Sequence, residues 1–120
     1  MTPKELENRL IDYAVLIIKI ASLLPNSPEG NVLRYQLAKS GTSPALNYGE
    51  AQEAESKNDF IHKMKIGNKE LRESSVNLRI IERAELLKTH SEVLNKGMKE
   101  TNELIAIFTS SIKTARKGIK

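Results

Sequence analysis

The sequence predicts an all-α fold, an antiparallel up-down-up-down four-helix bundle formed by residues 1–120 as one domain. Three observations carry that reading. Apolar and small residues recur at alternating steps of four and three in three separate stretches, the spacing of a helical seam that winds left-handedly against its neighbours. Nowhere do apolar and polar residues alternate as a half-buried strand requires. The segments between the periodic stretches are short, which places consecutive helices side by side.

The first helix opens at Thr2-Pro3-Lys4-Glu5, where Thr2 can cap, Pro3 suits the first helical position and Glu5 completes a capping box. Its seam is Leu6, Leu10, Tyr13, Ile17, Ile20 and Leu24, and Pro25 ends it. Ile11, Ala14, Val15, Leu16, Ile18, Ala21 and Leu23 make its C-terminal half apolar on nearly every side. Either this helix is covered all round within a monomer, or its second face serves self-association. Self-association is the favoured expectation, because each helix of a four-helix bundle normally shows one side to water.

Asn26 to Asn31 reads as a turn, and a second helix is expected from about Val32 to Ala54, packing through Leu33, Leu37, Leu46 and a series of alanines. Gly41 to Pro44 should kink or briefly break it, since Pro44 removes a backbone donor and crowds the preceding turn. Ser56, followed three residues later by Asp59, resembles a capping box, so a third helix should run from about Lys57 to Leu87. Its seam is Phe60, Met64, Gly67, Leu71, Ser74, Leu78 and Ile81, with Gly67 and Ser74 permitting close helix approach. After a turn at Lys88-Thr89-His90, Ser91 is placed to cap a fourth helix with the seam Leu94, Met98, Thr101, Ile105, Phe108, Ile112 and Ala115.

A chain of 120 residues can bury a sizeable core without staples. The absence of Cys excludes disulfides, thiolate nucleophiles and Cys-ligated zinc, and fits a reducing cytoplasm, which is the expected location. Glu5, Glu7 and Asp12 stand where a secretory signal would need a basic start and an apolar core, so none is expected. The apolar run Tyr13 to Leu24 contains Lys19 and is well short of the ~20 residues of a membrane span. Net charge is +4, and the excess lies in the second half: Lys57 to His90 holds eight basic against five acidic residues, and Ser91 to Lys120 six against three.

Candidate chemistry is sparse. Asp59 and His62 have the spacing of half of a di-iron Glu-x-x-His element, but His90, the other histidine, has Leu87 three residues earlier, so the second copy is missing and no metal is expected. No nucleophile motif joins the Ser, His and acidic residues, and Gly41 and Gly49 do not make a phosphate loop with its Lys-Ser or Lys-Thr ending. Neither a cofactor nor enzymatic activity is expected. Asn47 and Glu50 share a helix face at i and i+3. They form either an internal polar pair, bonded to a partner helix at Lys69, Glu70 or Arg72 and fixing register, or a recognition surface, and the internal role is favoured. Two basic groups are the candidate nucleic-acid contacts. Lys63, Lys65, Lys69 and Arg72 crowd part of the third helix, and Lys113, Arg116, Lys117 and Lys120 end the chain. The tail charges also oppose a helix dipole, which is reason enough for them in a monomer. Repeated in an oligomer, they become a positive face suited to phosphates.

Gln36-Leu37, Ser40 through Glu50-Ala51, Asp59-Phe60-Ile61-His62-Lys63, and Lys69-Glu70 with Glu73 resemble, in order and spacing, the small bacterial proteins encoded in intervening sequences of 23S ribosomal RNA genes and their free-standing relatives. The resemblance covers about Leu6 to Leu87 and includes the Leu24-Pro25 turn. Pro44-Ala45 departs from the usual Val or Ile followed by small residues, and Val76-Asn77 stands where an aromatic is common. The resemblance implies an antiparallel four-helix bundle, a homo-oligomer and no established enzymatic activity. A more distant likeness, to the accessory protein of diversity-generating retroelements, implies a ring-like pentamer that binds nucleic acid. Two functions are therefore expected in competition: a cytoplasmic homo-oligomer that binds RNA or DNA, and an adaptor whose apolar first helix and Asn47/Glu50 motif engage a protein partner.

Overall fold

The computed structural model describes residues 1–118. Among them there are four α-helices and no strand: α1 (Pro3–Ser22), α2 (Pro28–Gln52), α3 (Lys57–Arg83) and α4 (Ser91–Lys117), with a single 3₁₀ turn at Lys88–His90 before α4. They form a four-helix bundle 49 × 24 × 21 Å in extent. Each helix packs along the next in the chain, and α1 also meets α4, less closely.

Local chemistry sets most of the ends. The Thr2 hydroxyl accepts from the Glu5 N–H at 3.1 Å while the Glu5 carboxylate accepts from the Thr2 N–H at 3.0 Å, so the predicted capping box is complete. Ser56 caps α3 as expected, accepting from the Asp59 N–H at 3.0 Å. The second helix starts four residues earlier than the turn-like composition of Asn26 to Asn31 suggests. Ser27 accepts from the Gly30 N–H and Pro28 takes the first helical position, where its missing N–H costs nothing. The third helix stops at Arg83 rather than Leu87, closed by the Glu85 N–H bonding the Glu82 carbonyl and the Leu86 N–H bonding the Ile81 carbonyl. This is a Schellman closure, with Glu85 at φ 57° where glycine is usual. Ser91 is not the cap of α4 but its first residue; His90 precedes it and forms no side-chain cap bond.

The predicted seam of α1 is buried at all six positions. In α3 only Phe60 departs, half-buried beside the buried Ile61. In α4 the buried row is Leu94, Gly97, Thr101, Leu104, Phe108 and Ile112, and the predicted Met98, Ile105 and Ala115 are half-buried. Gly97 explains the rotation: a Cβ there would stand 2.6 Å from Ile20 Cδ1, so the missing side chain lets α1 press onto that face and turns Met98 and Ile105 towards α3.

The expected interruption of α2 is absent as a break, for α2 is helical throughout with Pro44 inside it. Packing overrides the lost donor. Ser40, Gly41, Pro44, Tyr48 and Ala51 are buried between α1 and α3, and a Cβ on Gly41 would lie 2.3 Å from Ile17 Cγ2. The Thr42 hydroxyl adds a bond to the Ala38 carbonyl at 2.8 Å. Leu46, expected in the core, is 68% exposed, because the small residues occupy the inner face and leave it on the opposite side.

One buried hydroxyl from each helix meets near mid-bundle. Tyr13 bonds Thr101 at 2.7 Å and Ser40 bonds Ser74 at 2.8 Å. Thr101 donates to the Gly97 carbonyl at 2.7 Å, so the Tyr13 O–H is the donor to Thr101. Burial pushes the Tyr13 phenol up, and the bond to Thr101 acts the other way. A layer that is satisfied only when the four helices align fixes their register. Replacing Tyr13 with Phe should lower stability by about 1 kcal/mol, a melting point roughly 5 °C lower by circular dichroism.

Candidate nucleic-acid interface

Helix periodicity divides the basic residues of α3 differently from their clustering in sequence. Lys65, Lys69, Arg72, Arg79 and Arg83 are all exposed and follow one another, through exposed Val76, at the four-three step that keeps them on the outer face. At 1.5 Å per residue this row is about 27 Å long. Lys63 does not belong to it. That side chain is half-buried and pairs with Glu50 of α2 at 3.2 Å. The outer row was legible as a second four-three pattern out of phase with the apolar seam, yet Arg79 and Arg83 escape a reading that looks for local crowding.

The neighbouring helix reinforces the charge. Arg9 of α1 takes both oxygens of Glu100, at 2.7 and 2.8 Å, and one of Glu103 at 2.9 Å. Bonding to Glu100, with Glu103 in support, pushes the Arg9 guanidinium further above its already high value. Two of the three acidic residues of α4 are thereby tied on the α1 side. On the other side, a groove of about 560 Å³ between α3 and α4 is lined by Arg72, Ser75, Val76, Arg79, Met98, Asn102 and Ile105, with no acidic residue. Lys113, Arg116 and Lys117 are exposed in the last turns of α4, and the Gly118 backbone lies close to the Lys57 ammonium near the start of α3. Lys120 lies outside the described residues.

The polar motif is assembled otherwise than expected. Asn47 is half-buried beside Gly67 of α3, but its amide donates to the Ser43 carbonyl and hydroxyl, both at 3.0 Å, within its own helix. Glu50 reaches α3 at Lys63, not at Lys69, Glu70 or Arg72. As a largely exposed pair it contributes about 1 kcal/mol or less. The cross-helix register is held instead by the buried hydroxyls, whose small side chains give little signal in sequence. His62, the other half of the Asp59 spacing, is exposed.

Glu70 forms no hydrogen bond with Asn47 or Glu50 among the described residues; its neighbours in charge are Lys39, Lys69 and Glu73, which line a second groove of about 530 Å³ between α2 and α3. Burial, followed by a hydrogen bond and like charge from Glu73, pushes the Glu70 carboxyl above the ordinary carboxylate range, against the pull of Lys39 and Lys69. Its Oε2 is buried without a partner. The raised value means that the fold favours the protonated acid, a contribution present below the ordinary carboxylate pKa and lost as pH rises through the raised one. Glu70→Gln should therefore raise the melting point at neutral pH by roughly 2 °C and leave it nearly unchanged in acid, as a paired pair of thermal melts will show.

No helix among the described residues is long and apolar enough to cross a membrane. A family model described as 23S rRNA-intervening sequence protein matches residues 5–110. A similar crystal structure is that of a protein with unknown function from the S23 ribosomal protein family of Bacteroides thetaiotaomicron VPI-5482, 29% identical, with a TM-score of 0.83 over 94% of this chain and 99% of that one. No curated protein matches.

Proposed function

Because this chain belongs to the 23S rRNA-intervening sequence protein family, we propose that it is a non-enzymatic, cytoplasmic, self-assembling protein that binds RNA through the phosphate backbone. The observation that carries this reading is the exposed row Lys65, Lys69, Arg72, Arg79 and Arg83, beside an α4 whose Glu100 and Glu103 are held by Arg9 on the far side. Phosphate contacts need cations without specific edges to read, and this face offers them along about 27 Å. The aromatics do not add a stacking surface to it: Tyr13, Tyr48 and Phe108 are buried, Phe60 is half-buried against the core, and Tyr35 is on α2. Titration of a structured RNA over a salt series tests the reading. Steep weakening with salt supports it, and no binding at low salt ends it.

The reading takes the bundle as up-down-up-down, supported by contacts that advance in opposite chain directions: Arg9 with Glu100 and Ile20 with Gly97, Ser40 with Ser74 and Glu50 with Lys63. Self-assembly is supported by Ile11, Val15 and Ile18, which form a row on the outer face of α1 and are 47%, 45% and 48% exposed. Such a row is also what a protein adaptor would present. If a second copy covers it, Val15→Glu with Ile18→Glu should reduce the mass measured by light scattering to that of a monomer while the helices remain folded. A wild-type protein already monomeric at high concentration would favour the adaptor.

A further inference from the structure

The groove between α2 and α3 adjoins the α3–α4 groove, sharing Arg72 and Val76 with it, and is differently equipped. Lys39 comes from α2, Lys69 and Arg72 from α3, and none of the three forms an ion pair among the described residues. They oppose Glu73 in the lining and Glu70 beside it, whose carboxyl feels Lys39 and Lys69. The floor adds Asn77, which is 8% exposed, is buried beyond nine-tenths, and forms no side-chain hydrogen bond among the described residues. Its amide, without a protein partner, opens onto a space of about 530 Å³, within the range of small-ligand sites. Gln36 supplies a second amide, and Val76 an apolar wall.

We propose that this groove binds a phosphate monoester carried on a compact polar ring, a nucleotide, either free or as the 5′ end of an RNA strand. Two lysines and a guanidinium converging from two helices suit the several oxygens and near double charge of a monoester better than a carboxylate, which Arg72 alone would satisfy. The Asn77 and Gln36 amides can both donate to and accept from a ring edge, and Val76 covers its face. The assignment rests on the nucleic-acid reading only for the strand-end source, since Lys69 and Arg72 also belong to the outer row of α3.

Lys39 belongs to the groove alone, and Arg79 and Arg83 to the outer row alone, so the two sites can be tested apart. AMP and adenosine are titrated by calorimetry and by amide chemical shifts against the full chain and its exposed-site variant Lys39→Gln. Saturable binding of AMP, at least tenfold weaker binding of adenosine and a loss of about tenfold in Lys39→Gln support the site. Equal binding of AMP and adenosine, or no AMP binding, overturns it, as does AMP binding that Lys39→Gln leaves unchanged. Oligonucleotides with and without a 5′ phosphate then identify the source: a preference that Lys39→Gln abolishes assigns the strand end, and no preference assigns the free nucleotide. Arg79→Ala with Arg83→Ala should weaken long RNA and leave AMP untouched, so failure of the outer row does not count against the groove.

Discussion

Replacing Gly41 with alanine should lower the stability of this protein by about 2 kcal/mol, a fall of roughly 10 °C in melting point. The added carbon would lie 2.3 Å from Ile17 Cγ2 and 2.7 Å from Ile17 Cβ. Neither is the loose end of a flexible chain, because Ile17 is β-branched and fully buried in the α1 seam. Relief therefore requires α1 and α2 to separate, against the close packing around Tyr13, Leu37 and Ser40. Gly49→Ala on the same helix is the control, since nothing lies within 4 Å of its Cβ. There alanine should stabilise by about 0.5 kcal/mol through reduced backbone freedom in the unfolded chain. Equal effects at the two positions would show that helix propensity, and not the close approach to Ile17, governs α2.

If the proposed interface binds RNA, neutralising Arg72, Arg79 and Arg83 together should weaken that binding about a hundredfold at low salt and flatten the salt dependence by roughly two to three units of slope. Each removed cation releases one fewer counterion, so slope and affinity fall together. All three are exposed, and the variant should keep the wild-type melting point within about 0.5 kcal/mol. Lys63→Ala serves as the comparison from the same sequence cluster. Its ammonium already pairs with Glu50, so its loss should leave the slope nearly unchanged. Lys113, Arg116 and Lys117 varied together report whether the end of α4 extends the footprint. An unaltered slope in the triple arginine variant would place the contact off α3 and remove the basis of the proposed interface.

Periodicity and end chemistry were readable because each depends on residues a few positions apart. The seam of α1, the Thr2/Glu5 box and the Ser56 cap follow from spacing alone, and so do four helices and the absence of a strand among residues 1–118. Family membership was also legible, carried by Ser40 to Ala51 and Asp59 to Glu73 in order and spacing. Ser27-Pro28 could have been read as a cap and first position, but the surrounding Asn, Glu and Gly concealed it within a turn-like composition.

What lay beyond the sequence depended on how helices meet. Local rules put a kink or a short break at Pro44; burial of α2 against two neighbours excludes the break, because packing on both sides outweighs one lost hydrogen bond. Local spacing put Met98 and Ile105 in the core; the absence of a side chain at Gly97 rotated α4 and moved them to a groove. Crowding in sequence grouped Lys63 with Lys65, Lys69 and Arg72, and α2 separated them by offering Glu50 to one and leaving the others to solvent. The sequence by itself determined the helices, the buried face of α1 and the sign of the charge. The tertiary structure decided which cations stay free and which polar groups meet, because both depend on partners 13 to 94 residues away in the chain, from Lys63 with Glu50 to Arg9 with Glu103.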